Sequence, residues 1–450
     1  MTGRRRSFPR FCHRATAIRS AAAGTAVLAS LLAGCGSLPG ASGNAAGAGD
    51  GAPITVMTWA PSGTKGTNMA GMPAMAEAYA RWVNSKGGIA GHRLRVLTCN
   101  ERNDSVAAAR CAQKAVDAHA VAVVGSYSRQ GRSFMGPLEA ANIPYIGGYG
   151  VSGEEFDSPL SYPVNGGQAA LLAGNGRQLA GECRQVSLVR PDTIQGDQMP
   201  PLLNAGLATG GRAAAHDVRA PENATDYAEA AQQSMDEVGA DPAFYGTAEF
   251  GAKAKGACVT ATLGEHTDTF FDSFRRLQED KPKVQMASVL GSVNQTLVDR
   301  TGGKSSPLEG ALVTGWYPDA RDRRWDPMRD VITEHAFDDN RIDPADAGVQ
   351  TTWIAYTVLR ATVEQVAEEG GDVTARSLQQ ALDSGDRAVD TGGLTPKLRW
   401  RYDDMLAVQS FPRIVNAMVT YQVVRDGRLV TTHSGFVNLT RTLEKPRKDA

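Results

Sequence analysis

From Ile54 onward, the sequence alternates short runs of β-branched and apolar residues with longer segments of helical character. Val121–Val124, for example, is a continuous apolar run that stops at Gly125, as expected for a strand buried on both faces of a parallel sheet. Strands that alternate with helices along the chain are connected by crossovers, which place parallel strands side by side. This order therefore predicts an α/β protein whose parallel sheets carry helices on both faces.

The alternation forms two units, and the second begins after Tyr162-Pro163. In the first unit we predict strands at Ile54–Trp59, Leu94–Thr98, Val121–Val124 and Ile143–Ile146, with helices at Met69–Lys86, Ser105–His119 and Gly136–Ala141. In the second we predict strands at Val186–Val189, Ala214–Val218, Cys258–Thr262, Val284–Leu290 and Glu309–Gly315, with helices at Gln168–Gly181, Met199–Ala208, Thr225–Val238 and Thr269–Gln278.

After these units the pattern predicts helices at Met328–His335 and Val349–Glu369. Ile414–Val424 and Arg428–Thr432 flank Asp426-Gly427 and are predicted to form a β-hairpin. Gly239–Lys255 has no clear periodicity and is interpreted as an insertion. Two similar α/β units followed by long helices imply a molecule of two lobes.

The N-terminal residues are typical of an exported protein. Six arginines and no acidic residue precede Cys35, and a short, alanine-rich apolar stretch spans residues 21–33. That stretch suits the apolar region of a signal peptide better than a membrane helix, which needs about 20 apolar residues. Arg5-Arg6-Ser7-Phe8 also resembles part of a twin-arginine signal, so the export route, Sec or Tat, stays open.

Leu32-Ala33-Gly34-Cys35 resembles the bacterial lipobox, whose cysteine is acylated and becomes the new N-terminus after cleavage. The alternative is an ordinary signal peptide that contains a cysteine. We predict a signal peptide at residues 1–34, then a lipidated Cys35 and a flexible Gly/Ala linker over residues 35–53. The protein is then expected on the outer face of the cell membrane, held by its lipid.

The charge balance and the cysteine content bear on the partner class and on the cellular compartment. Without the six arginines of the signal peptide, 41 basic residues face 48 acidic ones, which gives no electrostatic case for a nucleic-acid partner. Four cysteines remain beside Cys12 and Cys35, an even number suited to an oxidising compartment. Their order suggests the disulfides Cys99–Cys111 and Cys183–Cys258, and the alternative is four free buried thiols.

Several segments together resemble the leucine/isoleucine/valine-binding branch of the solute-binding proteins that serve ABC transporters. The resemblance covers roughly residues 54–435 and depends on an ordered series rather than on one motif. The matching segments are Gly87-Gly88-Ile89-Ala90-Gly91, Val121–Gly125, Asn142-Ile143-Pro144-Tyr145-Ile146, Leu308-Glu309-Gly310-Ala311-Leu312-Val313-Thr314 and Thr352-Trp353-Ile354-Ala355-Tyr356.

The resemblance implies a type I periplasmic-binding-protein fold, in which two lobes are joined by three crossings and close on a ligand. It places lobe one at about 54–163 and 317–400, lobe two at about 164–316 and 401–440, and a tail at 441–450. It also implies a small-molecule ligand and an ABC permease as partner. A sensing module that reports to a membrane receptor or kinase is the alternative.

A ligand in such a fold is expected at the carboxyl ends of the strands, where glycine and short hydroxyl side chains allow close approach. The predicted ligand-binding residues follow strands in both lobes or precede the first helix. They are Asn68, Ser126, Tyr127, Ser128, Gly148, Tyr149, Gln195, Thr262, Glu265, Gly291 and Ser292.

The second-lobe loops depart from those of the amino-acid-binding relatives. The resemblance implies a tyrosine and a carboxylate in these loops, but the matching positions are Gln195 and Leu290. A buried ammonium without a charge partner is very costly, so a branched-chain amino acid is a doubtful ligand unless Glu265 replaces the carboxylate. The ligand itself stays open.

The motifs of common enzymes and metal sites do not support catalysis. Gly148-Tyr149-Gly150-Val151-Ser152-Gly153 fits the spacing of a dinucleotide-binding motif, but Glu154–Pro159 is not expected to form the helix that such a motif requires. The histidines do not occur at metal-ligand spacing, and no C-x-x-C motif occurs. We therefore expect neither enzymatic activity nor a bound metal or cofactor.

Overall fold

The structure is a computed structural model that describes residues 51–222, 224–239, 256–278 and 284–444. The predicted signal peptide, Cys35, most of the linker and residues 240–255 of the predicted insertion lie outside the described residues. None of the helices among the described residues, even the longest at 22 residues, has both the length and the apolar character needed to span a bilayer.

The first sheet contains five parallel strands in the order β2-β1-β3-β4-β5. Its strands β3 and β4 are short and fully buried, as the continuous apolar runs predicted. The strands are β1 (Gly51–Trp59), β2 (His92–Cys99), β3 (Ala122–Val124), β4 (Tyr145–Ile146) and β5 (Ser161–Tyr162).

Helices cover both faces of this sheet. On one face Tyr79 packs against Trp353 and Tyr356, with ring centroids 5.3 and 5.2 Å apart, and on the other Trp59 packs against Phe134. The helices are α1 (Gly71–Ser85), α2 (Ser105–Asp117), α3 (Gly131–Ala140) and α4 (Glu154–Asp157). Apolar packing on both faces explains why the sheet has no alternating polar pattern.

The second sheet runs in the order β12-β11-β10-β9-β8-β6-β7, with β13 paired to β11. β6 to β10 are parallel, whereas β11 and β12 form the predicted antiparallel hairpin. The strands are β6 (Gln185–Pro191), β7 (His216–Ala220), β8 (Ala257–Ala261), β9 (Gln285–Val289), β10 (Leu312–Gly315), β11 (Met418–Arg425), β12 (Arg428–Thr431) and β13 (Val437–Asn438).

The second sheet is also covered on both faces. Asn175 and Gln178 on one helix bond the sheet from one side, and Phe270 and Phe274 pack on the other. The helices associated with this sheet are α5 (Gly167–Glu182), α6 (Met199–Ala208), α7 (Ala228–Glu237), α8 (Thr267–Gln278) and α9 (Gln295–Arg300).

The chain passes between the two sheets three times: after β5, after β10 and before β11. Between the last two crossings it forms α10 (Asp326–His335), α11 (Ala347–Glu368) and α12 (Ala375–Ser384). Tyr356 of α11 shares a hydrogen bond of 2.8 Å with Thr58 of β1, which attaches this part of the chain to the first sheet. The predicted two-lobed α/β fold with three crossings is therefore confirmed.

The disulfides Cys99–Cys111 and Cys183–Cys258 are both present. The first joins β2 to α2, and the second joins the end of α5 to β8. Each bond lies within the part of the molecule built around one sheet, so both can stiffen a layer without tying the two sheets together.

Some elements differ from the prediction. α3 begins five residues before the predicted Gly136, and Glu154–Asp157 forms a single helical turn where no helix was expected. α9 and α12 were missed, although Asn294 and Thr374 cap their N-termini by accepting hydrogen bonds from Leu297 and Ser377. The predicted tail at 441–450 overlaps the helical turn α13 (Thr440–Leu443), in which Thr442 and Leu443 are buried.

Candidate functional site

A cavity of about 520 Å³ lies between the carboxyl ends of the two sheets. The first sheet contributes the loops after β1, β3 and β4, and the second contributes those after β6, β8 and β9. A volume of this size is typical of sites for small molecules. The position agrees with the general rule that ligands of open α/β sheets bind beyond the carboxyl ends of the strands.

Most of the predicted ligand-binding residues lie together in the wall of this cavity. They are Asn68, Tyr127, Tyr149, Gln195, Thr262, Glu265, Gly291 and Ser292. Leu290, at the position where the resemblance implied a carboxylate, lies in the same wall. Ser126, Ser128 and Gly148 do not line the cavity, so for these three the structure does not support the expected ligand contact.

The two serines point into the body of the first sheet. The Ser126 hydroxyl accepts a hydrogen bond from the backbone N–H of Trp59 at 3.1 Å. The Ser128 hydroxyl donates to Glu101 at 3.1 Å and accepts from the Gln130 N–H at 3.0 Å. Both side chains are fully buried, and these bonds hold the loop rather than a ligand.

Glu155 fixes the neighbouring loop that carries Tyr149. Its carboxylate accepts hydrogen bonds from the backbone N–H groups of Gly150, Val151 and Ser152 at 3.0, 3.1 and 3.0 Å, and from the Ser152 hydroxyl at 3.1 Å. Burial raises the pKa of Glu155 to about 7, although the three N–H groups act in the opposite direction. Gly148 lies so close to this carboxylate that a side chain there would collide with it.

Three aromatic rings form a buried part of the cavity wall. Tyr127 and Tyr149 have ring centroids 5.1 Å apart, and Tyr149 and Trp316 are also 5.1 Å apart. The Trp316 indole N–H is already bonded to the Gly167 carbonyl at 3.0 Å. The Tyr149 hydroxyl has no hydrogen-bond partner among the described residues, although Tyr149 is only 4% exposed. It is therefore a polar group of the cavity wall that is available to a ligand.

The second-sheet loops present polar groups with few internal bonds. The side chains of Ser292 and Gln195 have no partner among the described residues, and the Thr262 hydroxyl contacts only the Met199 sulfur, at 3.3 Å. Glu265 accepts from the backbone N–H of Asn68 at 3.1 Å, a contact that joins the two sides of the cavity.

Two further contacts bridge the cavity, and the sequence prediction did not include their residues. Arg129, which follows β3, forms an ion pair of 2.5 Å with Glu222, which follows β7. The Thr296 hydroxyl of α9 donates to Asp343, which precedes α11. Arg129 directly follows the predicted loop residue Ser128, so extending that loop by one residue would have found it.

Asp346 is a third missed carboxylate of the cavity wall, after Glu222 and Asp343. It caps α11 by accepting hydrogen bonds from the Gly348 and Val349 N–H groups at 2.8 and 2.9 Å. Burial raises its pKa to about 6, and the nearby carboxylates of Asp343 and Glu265 add to the effect. Its position before a long apolar helical pattern was the available signal.

Among the described residues, His, Cys, Asp and Glu side chains do not gather into any group that could hold a metal ion. The one-turn helix after Gly148–Gly153 ends at Asp157, and the carboxylate of its Glu155 fills the space beside the loop. A dinucleotide-binding motif needs an open helix N-terminus at this place.

Comparison with solved structures shows the same architecture at low sequence identity. An extracellular ligand-binding receptor from Verminephrobacter eiseniae superposes with a TM-score of 0.66 at 16% identity, covering 84% of this chain and 99% of the other. A possible leucine/isoleucine/valine-binding protein from Rhodopirellula baltica gives 0.64 at 14% identity, with coverage of 87% and 98%. An ABC-transporter solute-binding protein from Rhodopseudomonas palustris, solved with 3,4-dihydroxybenzoic acid, gives 0.63 at 14% identity, with coverage of 86% and 97%.

Comparison with curated proteins finds no match. The sequence does match the periplasmic binding protein family over residues 56–427, which is most of the chain. The resemblance inferred from the sequence is therefore confirmed. Together with the two sheets, the three crossings and the cavity between them, this match shows that the chain belongs to the periplasmic binding protein family.

Proposed function

We propose that this protein is an extracytoplasmic solute-binding lipoprotein that captures a small polar molecule between its two lobes and delivers it to an ABC importer. In this proposal lobe one comprises about 54–163 and 317–400, and lobe two about 164–316 and 401–440. The observation that carries it is the cavity of about 520 Å³ whose wall combines strand-end loops of both sheets.

The bridging contacts support a mechanism of capture by closure. Glu265 and Asn68, and likewise Glu222 and Arg129, connect opposite sides of the cavity. A ligand that contacts both sides adds bonds that exist only in the closed form. It therefore shifts the equilibrium between open and closed forms by its differential affinity. A permease that recognises the closed form can then distinguish loaded from empty protein.

Thermal melts of the purified protein against a small-molecule library test the proposal. A ligand at 100 times its dissociation constant adds about 2.7 kcal/mol to the stability of the folded state, which raises the melting temperature. For a hit, Tyr149→Phe removes only the unpartnered hydroxyl and should weaken binding. Tyr402→Phe is the matched control, because Tyr402 is 89% exposed and outside the cavity wall. Unchanged melts throughout a broad library would contradict the proposal.

Lipid attachment is a separate part of the proposal and has its own test. The motif Leu32-Ala33-Gly34-Cys35 supports acylation of Cys35 after cleavage. Cys35→Ser should abolish incorporation of labelled fatty acid and move the protein from the membrane fraction to the soluble fraction. Cys12→Ser, a change within the predicted signal peptide, should leave the labelling intact. Persistent labelling of Cys35→Ser would overturn the anchor.

A further inference from the structure

The arginines of the cavity wall already have carboxylate partners. Arg129 pairs with Glu222 at 2.5 Å, and Arg300 pairs with Asp268 at 2.9 Å. Arg341 pairs with Asp339. An anionic ligand would have to compete with these internal carboxylates, because the described residues of the wall include no lysine and no further arginine.

Within the part of the chain that the structure describes, three carboxylates of the same wall accept hydrogen bonds from neutral donors and from no charged group. Asp343 accepts from the Ala345 N–H at 2.8 Å and from the Thr296 hydroxyl. Glu265 accepts from a backbone N–H, and Asp346 uses Oδ1 for both of its helix-capping bonds. The second oxygen, Oδ2 of Asp346, accepts no hydrogen bond from the described residues. The fixed charge of the cavity is therefore negative.

An independent observation points to a ligand at the same place. Tyr149 is 96% buried, and its hydroxyl has no partner among the described residues. A Cβ atom on Gly291 would lie 2.9 Å from this hydroxyl, so the group faces the second-sheet side of the cavity. Burial raises the pKa of Tyr149, the charge of Asp346 adds to the effect, and both residues line the same cavity.

The aromatic part of the wall fits the same kind of ligand. Tyr127, Tyr149 and Trp316 are each at most 4% exposed and lie side by side. Aromatic faces attract cations, and the attraction is stronger where water is excluded. Carboxylates and aromatic rings in one cavity are complementary to a positively charged organic group.

We propose that the ligand is an organic cation of the amine class, without a carboxylate, whose ammonium group is held by Asp346, Asp343 and Glu265 beside Tyr149. This inference rests on the proposed solute-binding function and specifies its ligand class. A ligand carboxylate would stand near three like charges. Like charges this close to one another repel, and the repulsion is stronger where water is partly excluded.

One feature of the wall favours an anionic ligand, so the experiment must compare ligands of both charges. The first turn of α1 lies at the cavity and has no side-chain cap, and helix N-termini attract anions. Isothermal titration at about pH 7.5 should therefore compare compounds that share one side chain and differ in their charged groups. One set is isopentylamine, leucine and isocaproate, and the other is tyramine, tyrosine and phloretate.

In each set the first compound lacks the carboxylate and the third lacks the amino group. We expect at least one amine to bind about tenfold or more tightly than its amino acid, and the acid to bind weakest. Tight binding of isocaproate or phloretate, or an amino acid that equals its amine, would overturn the inference while leaving the solute-binding function intact. Absence of binding by both amines at about 20 mM would also overturn it, and a wider library without any ligand would overturn both proposals.

A variant that removes one negative charge tests whether Asp346 binds the ammonium group. Asp346→Asn keeps a good helix cap while it removes the negative charge. It should lower the affinity of the best amine by about 10- to 100-fold, the usual effect of losing a bond to a charged group. Asp104→Asn is the matched control, because Asp104 caps α2 by the same kind of bond outside the cavity wall. Equal amine affinity in the two variants would contradict the role of Asp346.

Discussion

The strand-end loops of the first sheet and those of the second sheet meet the same cavity, but they use their polar side chains in opposite ways. In the first-sheet loops, Ser126, Ser128 and Glu155 are fully buried and bond the protein's own backbone. In the second-sheet loops, Gln195 and Ser292 line the cavity without partners among the described residues. The first-sheet loops are held by their own bonds and leave the Tyr149 hydroxyl available, whereas the second-sheet loops offer several unused donors and acceptors.

This difference indicates that the two sides of the cavity contribute to ligand binding in different ways. The first-sheet side presents mainly aromatic rings, and their positions are fixed by bonds made behind them. Preorganisation of this kind reduces the ordering cost of binding. The second-sheet side contributes adaptable polar groups that acquire partners when a ligand is present. Breaking the internal bonds of the first side should therefore affect stability, whereas changes on the second side should affect affinity.

Loss of the Glu155 carboxylate should have the largest effect. Glu155→Ala leaves three backbone N–H groups without their acceptor and opens space beside Gly148, so we expect a loss of about 3 kcal/mol in the free energy of unfolding. Urea denaturation measures it. The neighbouring Glu154 forms a surface ion pair with Arg132, and Glu154→Ala should cost less than about 1 kcal/mol. Similar losses in the two variants would refute the anchoring role of Glu155.

The same residue should make stability depend on pH. The folded protein has a pKa of about 7 at Glu155, above the usual value of about 4.3 for an unfolded chain, so the folded state binds an extra proton between these values. Stability should then fall as pH rises from about 5.5 to about 7.5, by an amount on the order of 2 kcal/mol from this group. Glu155→Gln cannot titrate and should remove that part of the slope. Parallel pH profiles for the two proteins would show that Glu155 does not titrate in this range.

A pair of serine substitutions contrasts the two sides directly. Ser128→Ala removes the bonds to Glu101 and Gln130 and should cost about 1 to 2 kcal/mol in stability, with little change in ligand affinity. Ser292→Ala should change stability by less than about 0.5 kcal/mol but weaken binding several-fold, because its free hydroxyl faces the cavity. Denaturation and titration of both variants test this. The reverse pattern would mean that the first-sheet serines, as the sequence suggested, are the ones that contact the ligand.

The fold was predictable because each lobe repeats a strong local signal. The burial of the apolar run Val121–Val124 is evident from a few adjacent residues. The helical periodicity of Met199–Ala208 is equally local. Both disulfides followed from cysteine order in an exported chain, and the cavity followed from the strand-end rule.

The direction in which a loop side chain points was not predictable from the same signals. Ser126 and Tyr127 are adjacent and both follow β3, yet only Tyr127 lines the cavity. The backbone N–H that captures Ser126 belongs to Trp59, 67 residues earlier in the chain. Asp346 was missed for a related reason: its position in the cavity wall depends on the third dimension, whereas its sequence context shows only a helix cap.

The smallest expected effect concerns the ion pair between the two sides. Arg129 and Glu222 each have 38% of the side chain exposed, so solvent screens the pair and it should contribute less than about 1 kcal/mol to the closed form. Arg129→Gln should weaken ligand binding about two- to fivefold, mainly through faster dissociation, because the pair stabilises closure rather than encounter. The effect should shrink in high salt. Arg132→Gln, on a surface pair within the first-sheet side, is the control.

A double-mutant cycle decides how Arg129 acts. If Arg129 works only through its partner, Glu222→Gln should have the same effect, and the double variant should be no weaker than either single one. If Arg129 instead bonds the ligand, its loss should persist in the Glu222→Gln background and in high salt. That result would place a cation on the first-sheet side and would contradict both the division between the two sides and the cationic ligand. The ligand affinities of the Arg129 and Glu222 variants therefore test the claim that the unused polar groups of this cavity are acidic or neutral.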